Sequence, residues 1–333
     1  MHAQLSPAFA TTIDYRRDPL FEALGRYVAR PISGSFRDAV RIFLRVLLVA
    51  RREKVLLLSS SWGRLHPEVL AAAFIGLWPS RFRPRIILLG CMWEPNNGVR
   101  GLLEKLLLRL ADRAIVRYVV QSTEELSLFP LVWGVAHEKM RFCPFFFTFD
   151  AQDSTAAAPD GEYVFAGGNS MRDYEPLVEA ARRMPERRFI FATHHLDGRD
   201  DLPPNIVTGT VSHERFMALL RSAWAVVVPI EQGLHRAAGQ QTYLNAMWLG
   251  KPTIVNDTLG VRDHIEDGQT GLVVSGTAES YVEALTWIAD PDNREAVKAI
   301  SSAGRQAVEE QFSFERHIEG VLSILDEVIA ETE

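Results

Sequence analysis

Glycine-rich turns that follow short apolar runs are the positions in this sequence best suited to holding a phosphate group. Segment 163–174 (YVFAGGNSMRDY) leads from an apolar run into Gly167, Gly168 and Asn169, with Arg172 close behind. Glycine lets a phosphate approach the backbone, a following helix offers free N–H groups, and an arginine neutralises the anion. A Gly-Gly pair is also typical of an ordinary tight turn, so both interpretations remain open here.

A second segment, 226–255, has the same pattern with a longer loop. Its apolar run is followed by a polar loop containing Glu231 and Arg236, after which Gly239 opens a helix. The N–H groups at the start of that helix and the Arg236 guanidinium together suit a diphosphate.

Both segments belong to a series of short apolar runs separated by stretches of helical length, which is typical of buried parallel strands. The runs are Val55–Ser59, Arg85–Leu89, Ala114–Val120, Tyr163–Ala166, Arg188–Ala192, Ala225–Val228, Thr253–Asn256 and Gly271–Val274. Ligands of such sheets bind beyond the carboxyl ends of the strands. The sequence therefore predicts an α/β fold with the binding turns at strand ends.

A chain of 333 residues suits two domains. We predict a first domain over 1–150, a small polar linker over 151–161, a second domain over 162–310 and an amphipathic C-terminal helix over 311–333 that packs on another surface.

The composition excludes several classes of protein. With 47% hydrophobic and 23% charged residues the chain is an ordinary globular one, and two cysteines exclude a disulfide framework. The adjacent His194 and His195 would point apart on extended backbone, so we expect neither a metal site nor a cofactor. The start lacks a secretory signal and the longest apolar run is too short to span a bilayer. We expect a cytoplasmic protein.

Charge is unevenly distributed along the chain. Residues 1–150 carry 21 Lys and Arg against 13 Asp and Glu, whereas residues 151–333 carry 15 against 29. A basic half indicates an anionic partner, although charge also drifts along chains without function. No stripe of aromatic residues alternates with the arginines, so we do not expect nucleic acid.

A basic amphipathic helix is predicted within the first half. Its apolar side consists of Phe36, Val40, Phe43, Leu44 and Leu47, and its basic side of Arg37, Arg41 and Arg45. One interpretation is a surface helix packed on its own domain. The other is a helix that lies in the headgroup layer of an anionic membrane, which would make the protein peripheral at the inner face of the membrane.

The order of motifs in the second half resembles the donor half of retaining GT-B glycosyltransferases of family 4. The blocks are Ala166–Asn169, Asn205–Val211, Ala223–Pro229, Asn245–Pro252 and Asp267–Val274. The resemblance implies two Rossmann-like domains that face each other across a cleft, with the last helix crossing back to the first domain. It also implies a nucleotide-sugar donor and a glycan or glycolipid acceptor, lipid-linked or part of a surface glycan.

The resemblance implies a role for each site residue. Gly167, Gly168 and Asn169 would lie near the diphosphate, with Arg172 in place of the family's phosphate-binding Lys and with Arg236 and Glu231 close by. Gly209 and Val211 would contact the nucleobase through their backbone. Gly239, Gln240 and Gln241 would cap the phosphates or the sugar, and Asn245 would hold the ribose in place of a Glu. In the first half, Glu94 and His66 are candidate acceptor-binding or catalytic residues after strands.

The sequence departs from the family's Glu-x7-Glu motif, because Ala237 and Asn245 stand where carboxylates are expected. Three alternatives follow. The chain is a retaining hexosyltransferase of a branch that uses Arg236, Glu231, Gly239 and Gln240 instead, an enzyme for an unusual donor, or a catalytically silent subunit that supports a partner protein. A nucleotide-sugar epimerase on the same fold is a separate enzyme alternative.

Overall fold

The structure is a computed structural model that describes residues 8–28, 35–60, 66–149 and 162–331. In these ranges the strands form two parallel sheets of six strands each. The chain divides into two compact units: the first runs to Pro144 and resumes at Glu315, and the second is Phe145–Phe314. The predicted α/β fold with two Rossmann-like domains is confirmed.

The first unit holds a sheet of strand order β2-β1-β3-β4-β5-β6. Its strands are β1 (Phe9–Thr11), β2 (Gly25–Tyr27), β3 (Val55–Ser59), β4 (Arg85–Leu89), β5 (Ile115–Val120) and β6 (Met140–Phe142). Its helices are α1 (Pro19–Leu24), α2 (Phe36–Ala50), α3 (Pro67–Gly76), α4 (Gly98–Ala111) and α5 (Glu125–Trp133), with short 3-10 turns at Ser80–Phe82 and His137–Lys139. All five residues of β3 are buried, as expected for a strand covered on both faces.

The second unit holds a sheet of order β12-β11-β10-β7-β8-β9. Its strands are β7 (Val164–Gly167), β8 (Phe189–Ala192), β9 (Ile206–Thr208), β10 (Ala225–Val228), β11 (Thr253–Asn256) and β12 (Leu272–Val274). Its helices are α6 (Glu175–Arg183), α7 (His213–Ser222), α8 (Gln240–Trp248), α9 (Ala278–Ala289) and α10 (Arg294–Gln311), with 3-10 turns at Val261–Asp263 and Pro291–Asn293. Separate apolar clusters cover the two faces of this sheet.

The last helix, α11 (Phe314–Ala330), belongs to the first unit from Glu315 onward. Glu327 of α11 accepts a hydrogen bond of 2.8 Å from Arg117 of β5 and one of 2.8 Å from Arg141 of β6. These hydrogen bonds, that from Arg141 foremost, lower the pKa of Glu327 to about 2. The predicted linker, 151–161, lies outside the described residues.

Helix α2 packs on its own unit by a face that only partly overlaps the apolar side seen in the sequence. The residues buried against the core include Ala39, Ile42 and Val46. Of the predicted apolar side, Phe43 and Leu47 pack against the core, whereas Phe36 and Leu44 are exposed. The helix therefore has a buried face, an exposed apolar face and a basic face. Within the described residues, no helix is both long and apolar enough to cross a membrane.

Candidate functional site

The second sheet reverses its strand order between β7 and β10, and the loops after these two strands lie side by side. Beyond the strand ends, Arg172 and Ile230 form an antiparallel bridge. The Glu231 N–H donates to the Met171 carbonyl oxygen at 3.2 Å. Met171 has a left-handed φ of 52°, which is unusual for a residue with a side chain. The two loops are thus held in one fixed arrangement at the place where such sheets bind ligands.

Two buried guanidinium groups converge on Ser170 in this arrangement. Arg172 Nη1 donates to the Ser170 carbonyl oxygen at 2.8 Å, and Arg236 Nη2 donates to the Ser170 hydroxyl at 3.3 Å. Both side chains are more than nine-tenths buried. The structure therefore brings together the two arginines that the sequence placed at separate strand ends.

The electrostatic environment of Arg172 suits an anion. Burial lowers the pKa of Arg172, and the nearby Arg236 acts in the same direction, while Tyr174, Tyr243 and Glu231 act against them. Its Nε has no hydrogen-bond partner, and it forms no ion pair with any residue that the structure describes. A buried guanidinium stays charged, so a bound anion would offset the cost of its desolvation.

Backbone geometry opens the same region to a ligand. Gly168 has a φ of 115°, and a Cβ there would lie 3.2 Å from Nη2 of Arg172. Gly239 precedes helix α8 with a φ of 80°, and no side chain caps the helix. Thr242 in the first turn of α8 lies 3.4 Å from the same Nη2. The N-terminus of α8 and the guanidinium of Arg172 are therefore adjacent, an arrangement that attracts phosphate.

Two residues of the first glycine turn have contacts within the protein that the sequence did not indicate. A Cβ on Gly167 would lie 2.4 Å from the ring of Phe216, so glycine makes room for that ring. The side-chain oxygen of Asn169 accepts from the Thr193 hydroxyl at 2.8 Å and from the His194 N–H at 3.0 Å. Asn169 therefore ties the loop after β7 to the loop after β8.

Asn245 also differs from its predicted role as a ribose ligand. Its side-chain oxygen accepts from the backbone N–H of Thr148 at 2.8 Å and from that of Phe149 at 3.1 Å. Both lone pairs are used, and the residue is 2% exposed. Asn245 fixes the segment at the start of the second unit, and its oxygen has no capacity left for a hydroxyl group.

The other predicted donor residues lie around the two arginines or on the neighbouring loop. Gln240 is buried in the first turn of α8, while Gln241 is exposed and donates to the Thr148 hydroxyl at 2.8 Å. Gly209 follows β9, donates its N–H to the Phe191 carbonyl oxygen at 3.2 Å and has open space where a Cβ would stand. Val211 packs against the core. Glu231 is half-buried beside Arg172.

The two residues singled out in the first unit share one cavity. His66 and Glu94 line a cavity of about 150 Å³ together with Trp93. His66 has a left-handed φ of 39° and precedes α3 without capping it by its side chain. Its Nδ1 and the indole N–H of Trp93 both approach the carbonyl oxygen of Ser60, at 3.2 and 3.1 Å. The cavity combines polar groups with an aromatic wall, as small-molecule sites do.

Among the residues that the structure describes, no group of three or more His, Cys, Asp or Glu is placed to hold a metal ion. The rings of His194 and His195 lie 5.0 Å apart, and His195 Nε2 is 3.0 Å from the Asn169 carbonyl oxygen.

Three contributors to the site were missed from the sequence. Ser170 joins the two arginines, Thr148 binds Gln241 and Asn245, and Asn256 fixes the loop after β10 through hydrogen bonds of 2.6 and 2.7 Å to the backbone of Ile230. A polar residue at the end of the apolar run 253–256 was the only signal for Asn256. Ser170 and Thr148 act through partners that no local pattern reveals.

Comparison with known proteins supplies independent findings on this unit. Residues 164–290 match the protein family described as Glycosyl transferases group 1. An 85-residue segment is 32% identical to the trehalose synthase of Pyrococcus horikoshii, covering 26% of this chain and 20% of that protein. The chain thus spans about a fifth of the length of this curated relative.

Solved structures resemble the whole chain. Sucrose-phosphate synthase from Thermosynechococcus elongatus has a TM-score of 0.65 at 14% identity, covering 92% of this chain and 81% of that one. HepE from Anabaena in complex with UDP has a TM-score of 0.62 at 12% identity, covering 96% and 91%. At such identities the likeness shows the fold. Residues 164–290, within the second unit, are therefore similar to the group 1 glycosyl transferases, and the chain has the GT-B fold of these solved structures.

Proposed function

We propose that this protein transfers a sugar from a nucleoside diphosphate sugar to an acceptor, with the donor bound in the second unit. The observation that carries the proposal is the convergence of Arg172 and Arg236 on Ser170 at the reversal point of the sheet. Two buried cations beside the N-terminus of a helix suit a diphosphate better than any neutral ligand.

The reaction needs stabilisation of the departing diphosphate. The bond between the sugar carbon and the phosphate oxygen breaks, and a bond to the acceptor oxygen forms on the same face of the sugar, so configuration is retained. Arg172, Arg236 and the start of α8 would stabilise the negative charge on the leaving oxygen, and that oxygen would take the proton of the acceptor hydroxyl. The guanidinium groups supply the positive charge, so the proposal includes no metal ion.

The acceptor belongs to the first unit in this proposal. The cavity lined by His66, Glu94 and Trp93 offers an imidazole, a carboxylate and an indole ring, which suit hydrogen bonding to and stacking on a sugar. We propose a lipid-linked sugar or a growing surface glycan as the acceptor, with His66 and Glu94 positioning its hydroxyl group. A hexose is the proposed transferred sugar.

One observation favours a second candidate, a catalytically silent subunit that supports a partner protein. Ala237 is buried and has no polar side chain, and the side-chain oxygen of Asn245 is occupied by backbone N–H groups. Neither position of the altered motif therefore offers a carboxylate to the donor.

A transfer assay separates these candidates. Purified protein would be incubated with nucleotide sugars, UDP-glucose first because a structural relative has been solved with UDP, and with glycolipid acceptors. We expect product from the wild type and none from Arg172→Ala. Arg183→Ala serves as the control, because Arg183 is an exposed residue of α6 paired with Glu179. Activity retained in Arg172→Ala, or product formed without any acceptor, would contradict the proposal.

A further inference from the structure

Helices α2, α3 and α4 cover the same face of the first sheet. The connections from β2 to β3, from β3 to β4 and from β4 to β5 all run in the same direction along the sheet. Because such crossover connections are right-handed, the three connecting helices lie on one side of the sheet. Phe43 of α2 contacts Phe74 of α3, with ring centroids 5.9 Å apart. A Cβ on Gly76 of α3 would lie 2.0 Å from the Leu110 carbonyl oxygen of α4, so these helices also pack closely.

The outward sides of these helices carry large apolar side chains. Phe36 of α2 is 71% exposed and Leu102 of α4 is 70% exposed. Leu48 of α2, Phe74 of α3 and Leu106 of α4 are each more than half exposed. Single exposed apolar residues are ordinary, but several of them on the outward sides of three adjacent helices mark an interaction surface. We call it the three-helix face.

Basic residues flank the three-helix face. On α4, Lys105 and Arg109 lie beside Leu102 and Leu106 at helical spacing, and on α2, Arg37 follows Phe36. None of these three cations forms an ion pair with a residue that the structure describes. A second copy of the chain docked through this face would bring like charges together, so the rim argues against self-association.

A basic groove opens beside the C-terminal ends of α2 and α3. It has a volume of about 710 Å³, and its lining includes Phe74 and Trp78 together with Arg51, Arg52 and Arg81. Within the described part of the chain these three arginines have no carboxylate partner. Aromatic rings beside guanidinium groups that lack a carboxylate partner suit the interface of a membrane, where the rings contact acyl chains and the cations contact anionic headgroups.

We infer that the three-helix face and its basic groove dock on an anionic lipid bilayer. The exposed apolar side chains enter the headgroup layer, and the flanking cations bind lipid phosphates. Each basic residue at such a surface adds attraction that salt weakens. The inference concerns surface binding alone and does not depend on sugar transfer.

Vesicle co-sedimentation of the full chain, without nucleotide, tests the inference. Vesicles of phosphatidylcholine mixed equally with phosphatidylglycerol should bind the protein, and pure phosphatidylcholine should bind it at least about tenfold less. Raising the ionic strength from about 0.1 M to about 1 M should release most of the bound protein, since the Debye length falls from about 10 to about 3 Å.

Substitutions on the three-helix face test whether vesicles bind there. Leu102→Glu combined with Leu106→Glu should weaken partitioning about tenfold or more, because two exposed leucines no longer enter the lipid. Leu20→Glu is the matched control. Leu20 is an exposed residue of α1, and the connection through α1 runs in the opposite direction along the sheet, which places α1 on the other side. Since these residues are exposed, circular dichroism should show folded protein in every case.

Two outcomes would overturn the inference. One is an absence of binding to anionic vesicles, and if the Leu102→Glu, Leu106→Glu variant then abolished self-association of the protein, the face would be an interface between copies of the chain. The other is vesicle binding that this variant leaves unchanged. Arg51→Glu combined with Arg52→Glu provides a separate test of the groove, and it should remove the preference for anionic over neutral vesicles.

Discussion

Arg172 is a buried cation that donates hydrogen bonds to a carbonyl oxygen and a hydroxyl group. In the unliganded protein its desolvation is only partly compensated, and like charge on Arg236 lies nearby. We therefore expect Arg172 to contribute more to the affinity for an anionic ligand than to the free energy of unfolding.

Arg172→Met tests that expectation, because methionine keeps most of the apolar stem and removes the charge. The affinity for a nucleoside diphosphate should fall about 10- to 100-fold, since a hydrogen bond to a charged group contributes about 1.5–3 kcal/mol. The free energy of unfolding without ligand should fall by less than about 1.5 kcal/mol. Calorimetric titration and urea unfolding measure the two quantities. A large loss of stability with unchanged affinity would make Arg172 a structural residue.

Asn245 should show the opposite pattern. Asn245→Ala leaves the N–H groups of Thr148 and Phe149 without their acceptor, which should cost about 1–3 kcal/mol of unfolding free energy. Asn245→Asp keeps an acceptor oxygen and should lose less. Nucleotide affinity of the folded Ala variant should stay near that of the wild type. A drop in affinity at unchanged stability would restore the ribose role expected from the sequence.

At this scale the sequence indicated which residues lie together better than what each of them contacts. Glycines and arginines at the ends of apolar runs are local signals, and they singled out Gly168, Arg172 and Arg236, which the structure brings together. The packing roles of Gly167 and Asn245 depend on Phe216 and Thr148, which are distant in the sequence. No local pattern records such partners.

At the scale of the secondary-structure elements, the sequence predicts a strand where an apolar run is long enough. Strands β3, β4, β10 and β11 have the predicted bounds, because buried apolar residues make up most of each run. The three-residue strands β1, β2, β6 and β9 were missed, since so short a segment becomes a strand only through pairing with a neighbour. Periodicity likewise identified the apolar side of α2 but could not show that Phe43 and Leu47 pack on the core while Phe36 and Leu44 are exposed.

The start of α11 is tied to the end of the β6 segment by His317. Its Nδ1 lies 2.8 Å from the Pro144 carbonyl oxygen and therefore donates, so its Nε2, 2.9 Å from the Tyr15 hydroxyl oxygen, accepts. Burial lowers the pKa of His317 to about 4. The folded protein thus holds this imidazole neutral at a pH where the unfolded chain, with a pKa of about 6.5, binds a proton.

This difference predicts acid sensitivity. As the pH falls from about 6.5 to about 4, the unfolded state binds more protons than the folded state, and His317 should remove up to about 1.4 kcal/mol of stability per pH unit. His317→Gln should be less stable than the wild type near pH 7. Its stability should change less with pH in this window. Urea unfolding at several pH values measures the slopes, and equal slopes for the two proteins would refute the assignment.

At the scale of the whole molecule, length and charge indicated two units with different partners. The excess of basic residues over 1–150 is now seen on helices and a groove of the first unit, where several arginines have no carboxylate partner within the described ranges. The sequence could not show that these residues border an apolar face. That juxtaposition depends on the order of strands in the sheet, which brings α2, α3 and α4 together.

The most direct test of the central claim, a donor diphosphate held by Arg172 and Arg236, is thermal stabilisation by a panel of nucleoside diphosphates. A ligand at 100 times its dissociation constant should add about 2.7 kcal/mol to the unfolding free energy. We predict that one nucleotide of the panel stabilises the wild type by about this amount and stabilises Arg172→Met by only about 0.4–1.4 kcal/mol at the same concentration, as a 10- to 100-fold loss of affinity requires. Folded wild-type protein that no nucleotide stabilises, or equal stabilisation of both proteins, would contradict the account.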